Sequence, residues 1–401
     1  MISSLSRGFT LAVSLSFIAA GALAQDYFEF SGEVGGEVRA FPESPQFDGQ
    51  LSGFQPSAFA ELTWEWEDEA RENQLTGVVF GRLDGRDSER THADVREAYY
   101  RRIGEDWEAL IGLNRVFWGV TESRHLVNVI NQIDAVENID EEDYLGQPML
   151  NLATQRDYGR FDLFVMPGFR ERTFAGTDGR LRGGLTVDED ASTFESGLGG
   201  GHPDVALRYN HFLGNWDVGA HVFYGHGREP TLTPNEAGTQ LEPSYDLITQ
   251  GGVDLQYTTD AWLWKFEGLV REGQGDTFGA MVGGFEYTEF QVFDTDADLG
   301  LLAEYLYDGR DDDAPLTTFQ NDLFFGARVT LNDIEDTALL AGAVVDLEYG
   351  SVSGRLEAER RFGDSWKGEI EVQIFGHVAE DDPGRAFEND SFALLRLTRF
   401  F

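Results

Sequence analysis

The 401-residue chain has no cysteine, so neither a disulfide framework nor a thiolate metal site can hold it together. Basic residues are scarce. Thirty Lys plus Arg stand against 72 Asp plus Glu, for a formal net charge of −42. Nucleic acid is disfavoured as a partner, because such binding needs clustered cations to neutralise phosphates. Long hydrophobic runs are also missing. Past residue 24 the longest apolar run, Ala338 to Val345, is far short of the about 20 residues a helix needs to cross hydrocarbon. Were the chain to span a membrane, it would have to do so as a closed barrel. An open sheet would leave unpaired backbone groups in lipid, at several kcal/mol each. Catalytic signatures are lacking too: there is no Gly-x-Ser-x-Gly elbow, no His-Glu-x-x-His site and no phosphate-cradling loop. His221 and His226 share one segment, while His202, His211 and His377 lie apart in sequence. No enzyme activity, cofactor or metal site is expected.

What is present begins with a secretory leader. Arg7 supplies a positive start, Phe9 to Ala20 an apolar stretch, and Ala22-Leu23-Ala24 a small-residue cleavage site before Gln25. Residues 1–24 are therefore expected to be a signal peptide, and residues 25–401 one domain. No internal repeat and no Pro- or Ser-rich linker divides the latter.

That domain alternates with a period of two, the signature of strands. Val253, Leu255 and Tyr257 oppose Asp254 and Gln256. Trp262, Trp264, Phe266 and Val270 oppose Lys265, Glu267 and Arg271. Leu323, Phe325, Ala327, Val329 and Leu331 oppose Asp322, Arg328 and Thr330. Val352, Leu356 and Ala358 oppose Arg355, Glu357 and Glu359. Trp366, Ile370, Val372 and Ile374 oppose Lys367, Glu369, Glu371 and Gln373. One face carries rings and aliphatics, the other full charges. A soluble sandwich would press the apolar faces together; a lipid-embedded barrel turns them outward and lines water with the charges. Segment length favours the barrel, since many segments match the about 9–11 residues of a tilted transmembrane strand rather than the about 5–6 of soluble strands. Aromatic residues gather near segment ends, as interface girdles do: Trp64, Trp66, Tyr99, Tyr100, Trp216, Tyr257, Trp262, Tyr305, Tyr307, Tyr349, Trp366, Phe400 and Phe401. Tight connections (Leu213 to Asn215, Asn332 to Asp336) alternate with long acidic ones (Phe169 to Pro203, Gly227 to Tyr245, Asp308 to Phe319, Ala379 to Asp390). The expectation is an all-β, single transmembrane antiparallel β-barrel of about 16 strands, in a range of 14–18.

Trp118 to Gln155 is too long for a turn and neither Gly-rich nor repetitive. His125, Leu126, Val129, Ile130 and Ile133 recur at roughly helical spacing within it. This segment is expected to fold into the barrel and place Glu137, Asp140, Glu141, Glu142 and Asp143 at a constriction. Arg160, Arg208, Arg271, Arg328 and Arg355, on the charged strand faces, would stand opposite, giving a transverse field that filters solutes by charge. A solvated external tip, with the arginines in structural pairs, is the plainer alternative. The acidic runs Asp294-Thr295-Asp296-Ala297-Asp298 and Asp311-Asp312-Asp313 lack the glycine and distal Glu of a calcium loop, so no metal is assigned there.

The last segment, Ser391 to Phe401, ends on an aromatic with Leu397, Leu395 and Ala393 at alternate positions. It resembles the terminal strand read by the barrel-assembly machinery of outer membranes, with Phe401 as the signal. Arg399 departs from that pattern, where an apolar residue is usual. Val95-Arg96-Glu97-Ala98-Tyr99-Tyr100, Gly112-Leu113-Asn114-Arg115, Phe117-Trp118-Gly119, Asn131-Gln132-Ile133-Asp134 and Leu145-Gly146-Gln147-Pro148-Met149 resemble proteobacterial porin-like families. In those families a strand ending in Trp-Gly is followed by a long inward segment. The resemblance implies a cell-outer-membrane location and passive diffusion of small hydrophilic solutes, with cation preference implied by the acidity. It also implies outer-membrane lipids, lipopolysaccharide, the assembly machinery and further copies of the chain in a homotrimer as partners. The alternatives are a non-transport barrel (adhesin or envelope scaffold) and a barrel hydrolase.

Overall fold

A computed structural model describes residues 26–401; the expected leader, residues 1–24, lies outside them. Its strands are β1 (Tyr27–Phe41), β2 (Gly53–Glu67), β3 (Asn73–Asp84), β4 (His92–Ile103), β5 (Trp107–Asn114), β6 (Gln147–Arg156), β7 (Gly159–Met166), β8 (Thr186–Val187), β9 (Thr193–Phe194), β10 (Asp204–Leu213), β11 (Trp216–His226), β12 (Thr231–Pro234), β13 (Gln240–Tyr245), β14 (Leu247–Thr258), β15 (Trp262–Glu272), β16 (Phe278–Glu289), β17 (Asp298–Asp308), β18 (Asn321–Thr330), β19 (Ala338–Asp346), β20 (Val352–Phe362), β21 (Trp366–His377) and β22 (Phe392–Phe400). All but β8, β9, β12 and β13 form one 18-stranded sheet. Each of its strands pairs antiparallel with its neighbour in sequence, as β2 does with β3 and β7 with β10. The ring closes where β1 pairs β22, with Glu37 opposite Arg396 and Val38 opposite Leu395. The short strands β8, β9, β12 and β13 make a separate small sheet from the two long connections 167–203 and 227–246.

The expected architecture stands, but the strand number is 18 rather than about 16, the upper end of the range. The undercount has a local cause. Residues 147–155, read from sequence as part of the long connection, are strand β6. In β6 the inner positions Gln147, Met149, Asn151 and Ala153 carry no charge, so the apolar/charged alternation that marks other strands is absent there.

Alternation elsewhere is borne out in exposure. Val222, Val253, Trp264, Val270, Phe325, Ile370 and Ile374 are exposed on the outer face, whereas Asp254, Glu267, Arg271 and Asp322 are buried on the other. In β22, Ala393, Leu395, Leu397 and Arg399 are exposed, and Phe392, Leu394 and Thr398 are buried. Arg399 thus sits on the apolar outer face, near the barrel end. It lays its guanidinium 5.8 Å from the Trp366 ring centre, so its charge can snorkel toward headgroups while the stem covers apolar surface.

The start of β1, the end of β22 and the short turns occupy one rim. Gly214 takes φ +64° in the Leu213–Trp216 turn, a left-handed conformation that glycine adopts without steric cost. Asn332 and Asp336 also take positive φ in the β18–β19 turn. Aromatic rings cluster along this rim: Trp216 with Tyr257 at 4.7 Å, Trp262 with Tyr287 at 4.8 Å, and Phe161 with Tyr209 at 4.9 Å. The long connections all leave from the opposite rim, the arrangement expected of periplasmic turns and external loops.

The outward apolar face generates a depth-dependent prediction. Leu207→Arg, midway along β10 on the outer face, should cost about 2–4 kcal/mol of folding free energy in lipid vesicles. Leu213→Arg, on the same face at the rim end of the strand, should cost about 0–1 kcal/mol. Equilibrium urea titrations in vesicles would check the contrast; equal costs would mean that this face does not meet hydrocarbon.

Candidate functional site

The segment between β5 and β6, residues 115–146, carries the expected acidic run. It contains no helix, contrary to the spacing of His125, Leu126, Val129, Ile130 and Ile133. The reason lies in where its backbone N–H groups go. Asn131 Oδ1 accepts from Val116 N at 2.8 Å, and Asn128 Oδ1 accepts from Trp118 and Gly119. Glu267 of β15 accepts from Val120 N (2.6 Å), Thr121 N (3.0 Å) and Val127 N (3.1 Å). Glu304 of β17 accepts from Glu122 N and Ser123 N, each at 2.8 Å. Side chains therefore take the donors that a helix would turn toward its own carbonyls. Leu126, Val129 and Ile130 are buried, but without a helical period. Val127, Val129 and Ile130 pack in the cluster with Phe164, Ala206, Phe223 and Ile248, and Leu126 packs with Leu269, Phe278, Val282 and Leu302.

The acidic residues divide into paired and unpaired groups. Glu137 is buried and held by Arg82 at 2.6 Å and His92 at 2.7 Å. Despite the cost of burial, these partners hold its carboxyl at about 2. Arg82 also meets Glu37 at 3.0 Å, and Glu37 in turn meets Arg90 (2.6 Å) and Arg396 (2.9 Å). Asp140 pairs with Arg355 at 2.9 Å. Glu141 lies 3.9 Å from Arg172. Glu142 and Asp143 make no ion pair among the described residues. Their surfaces face solvent, yet surrounding protein thins that solvent; this desolvation, with the nearby Asp140 charge, pushes both carboxyls up to about 7.

Of the arginines expected opposite, only Arg355 reaches the acidic run. Arg328 binds Glu122 (2.7 Å) and Glu286 (3.2 Å). Arg271 binds Glu229 at 2.5 Å. Arg208 forms a two-pronged pair with Asp254 at 2.8 and 2.9 Å, and its guanidinium lies 4.7 Å from the Trp118 ring centre. Arg160, beside the short-turn rim, is taken by Glu108 and Asp162, both at 2.9 Å. Sequence reasoning missed the main anchors: Glu37, Arg82, Arg90, Arg96 (2.7 Å from Asp134), Glu229, Arg310 and Glu304. Glu37 and Arg39 were detectable, since they alternate with the exposed Val34 and Val38. Arg90 and Glu229 sit in connections and had no periodic signal.

A cavity of about 700 Å³ lies between residues 122–144 and the strands, with Arg271, Arg310, Arg355, Asp322, Asp346 and Glu371 among its lining. Asp322 and Asp346 are cross-strand neighbours. Each is buried and each keeps one carboxylate oxygen without a hydrogen-bond partner. Phe401, the expected assembly signal, exchanges backbone hydrogen bonds with Gly32 at 3.0 and 3.1 Å.

No protein-family model and no curated protein matches the sequence. Solved structures match the fold. OpdQ of Pseudomonas aeruginosa is 11% identical with a TM-score of 0.52, covering 93% of this chain and 98% of that one. A BenF-like porin from Pseudomonas fluorescens Pf-5 is 7% identical with a TM-score of 0.54, covering 94% and 98%. Wzi of Escherichia coli, described as an outer-membrane protein involved in group 1 capsule assembly and a carbohydrate-binding β-barrel, is 10% identical with a TM-score of 0.54, covering 92% and 84%. The chain thus has the fold of bacterial outer-membrane porin-like β-barrels.

Glu267 is the hinge pin of this arrangement. Glu267→Leu should leave the donors of Val120, Thr121 and Val127 unpaired, losing at least the about 1.5–3 kcal/mol of one charge-assisted bond. Hydrogen–deuterium exchange across residues 120–127 should accelerate tenfold or more while the barrel strands keep their protection. Unchanged exchange would show that the carboxylate does not hold the segment.

Proposed function

We propose that the protein is a water-filled diffusion channel of the outer membrane for small hydrophilic solutes, with residues 115–146 folded into the barrel as its constriction. The observation that carries this reading is the set of bonds from that segment to side chains on separate parts of the wall: Glu267, Glu304, Arg82 and Arg355. A segment held by strands β3, β15, β17 and β20 together fits between them more readily than above them. The closed 18-stranded ring and its exposed apolar outer face support the membrane setting.

Cation preference is the finer part of the proposal. Around the cavity Arg271, Arg310 and Arg355 are each committed to carboxylates. Glu142, Asp143, Asp322 and Asp346 have no such partner among the described residues. Arg182 on the same lining bonds backbone carbonyls alone but is outnumbered by these carboxylates, and an aqueous passage bounded by a negative excess concentrates cations. The permeating solute is met by this lining, not by a catalytic constellation.

Reconstitution in planar bilayers should give discrete conductance steps. A barrel that inserts but conducts nothing would overturn the channel reading and favour a non-transport barrel. The likeness to a carbohydrate-binding barrel makes glycan binding by the long loops the form of that second reading. Cation preference should also follow pH. Glu142 and Asp143, raised to about 7, are ionised at pH 8 and protonated at pH 5, so preference should fall on acidification. Glu137, held at about 2, contributes no change over that window. Glu142→Gln with Asp143→Asn should lower the preference at pH 8 toward its pH 5 value. Reversal potentials in a salt gradient would report both results.

A further inference from the structure

The long connections bring together a cluster that the channel reading does not use. His202 ends the segment before β10, Asp204 opens β10, and His226 closes β11. Their ligand-capable atoms lie within 4.8 Å of one another. His202 Nδ1 stands 3.3 Å from Asp204 Oδ1, and His226 Nδ1 stands 3.5 Å from the same oxygen. A tetrahedral zinc site with bonds of about 2.0–2.1 Å has ligand–ligand edges of about 3.3–3.4 Å, so both spacings suit a shared ion.

His226 supplies an independent observation. Its side chain is fully buried, and neither ring nitrogen has a hydrogen-bond partner. A buried imidazole with both nitrogens idle is costly. The rings of Phe169 (5.4 Å), Phe194 (5.2 Å) and His202 (5.2 Å) enclose it, leaving the direction of Asp204 as the polar one. Room for the carboxylate is made by a glycine: a Cβ on Gly225 would come within 2.3 Å of Asp204 Cγ. The carboxylate is also oriented. Arg228 Nη1 holds Oδ2 at 2.8 Å, while Arg228 Nε donates to Ile130 O at 2.9 Å, an outer-shell role that aims a ligating oxygen.

We propose that His202, Asp204 and His226 form a binding site for a first-row divalent transition metal of the zinc class. The two neutral imidazoles and one carboxylate oxygen are the donors, and water completes the coordination beside the partly exposed His202. The ion ties the 167–203 connection to the β10–β11 rim and, through Arg228 of the 227–246 connection, to residues 115–146. The guanidinium beside Asp204 weakens attraction for a dication.

The test uses the untagged full chain, folded in detergent, verified by heat-modifiable gel mobility and stripped with EDTA. Titration with Co(II) should give visible d–d absorption saturating at one equivalent, displaced by Zn(II). His226→Gln and His202→Gln should each weaken binding tenfold or more. Zn(II) should raise the thermal midpoint of the wild type and leave that of the variants unmoved. Absence of saturable Co(II) absorption in the folded wild type would overturn the proposal. So would equal affinity in the variants, which would place the metal on acidic loops instead. Should His226→Gln fail to fold, His202→Gln, altering a side chain at the edge of the cluster, decides alone.

Discussion

Closure of the hydrogen-bonded ring is the constraint on which everything else rests. In hydrocarbon no water can satisfy a strand edge, so the pairing of β1 with β22 is as necessary as any other. Once the ring is closed, each strand has one face toward lipid and one toward the interior. The period of two then forces charges inward, because a charge on the outer face near the midplane is costly. The interior charge pattern is therefore a consequence of the outer surface as much as of any function.

Those interior charges must find partners. Removing one member of a buried ion pair costs about 3–5 kcal/mol, and Glu37, with Arg82, Arg90 and Arg396 around it, shows how fully the demand is met. In one sector the demand is met differently. Leu110, Met149, Phe164, Met166, Ala206 and Phe223, inner positions of β5, β6, β7, β10 and β11, are apolar, and Val127, Val129 and Ile130 pack in the same cluster. Elsewhere, wall carboxylates serve as acceptors for the backbone of the same segment. Residues 115–146 are thus fastened both by apolar packing and by N–H donation, which explains how a stretch without helix or sheet holds a fixed path.

Much of this was legible in the residues. Outer-face positions such as Val253, Val270 and Ile370, the aromatic rim, and the alternation of tight and long connections all follow from local pattern. Strand β6 was hidden because its inner positions carry no charge, and the spacing of Leu126, Val129 and Ile130 imitated a helix because burial against two wall clusters selects apolar residues without regard to period. Arg160 was grouped with Arg355 although it lies beside the short-turn rim with Glu108. Alternation reports which face a residue occupies, not its height along the barrel.

The sequence by itself determined the strand class, the closed barrel and the sign of the charge, because these follow from nearest-neighbour alternation and composition. Only the tertiary structure decided which charges meet. Glu267 and Val120 are 147 residues apart, and Arg82 and Glu137 are 55. His202, Asp204 and His226 converge because β10 and β11 fold back on each other at a two-residue turn. Ion pairing and ligation depend on distances through space, which are set by register and ring closure rather than by separation along the chain.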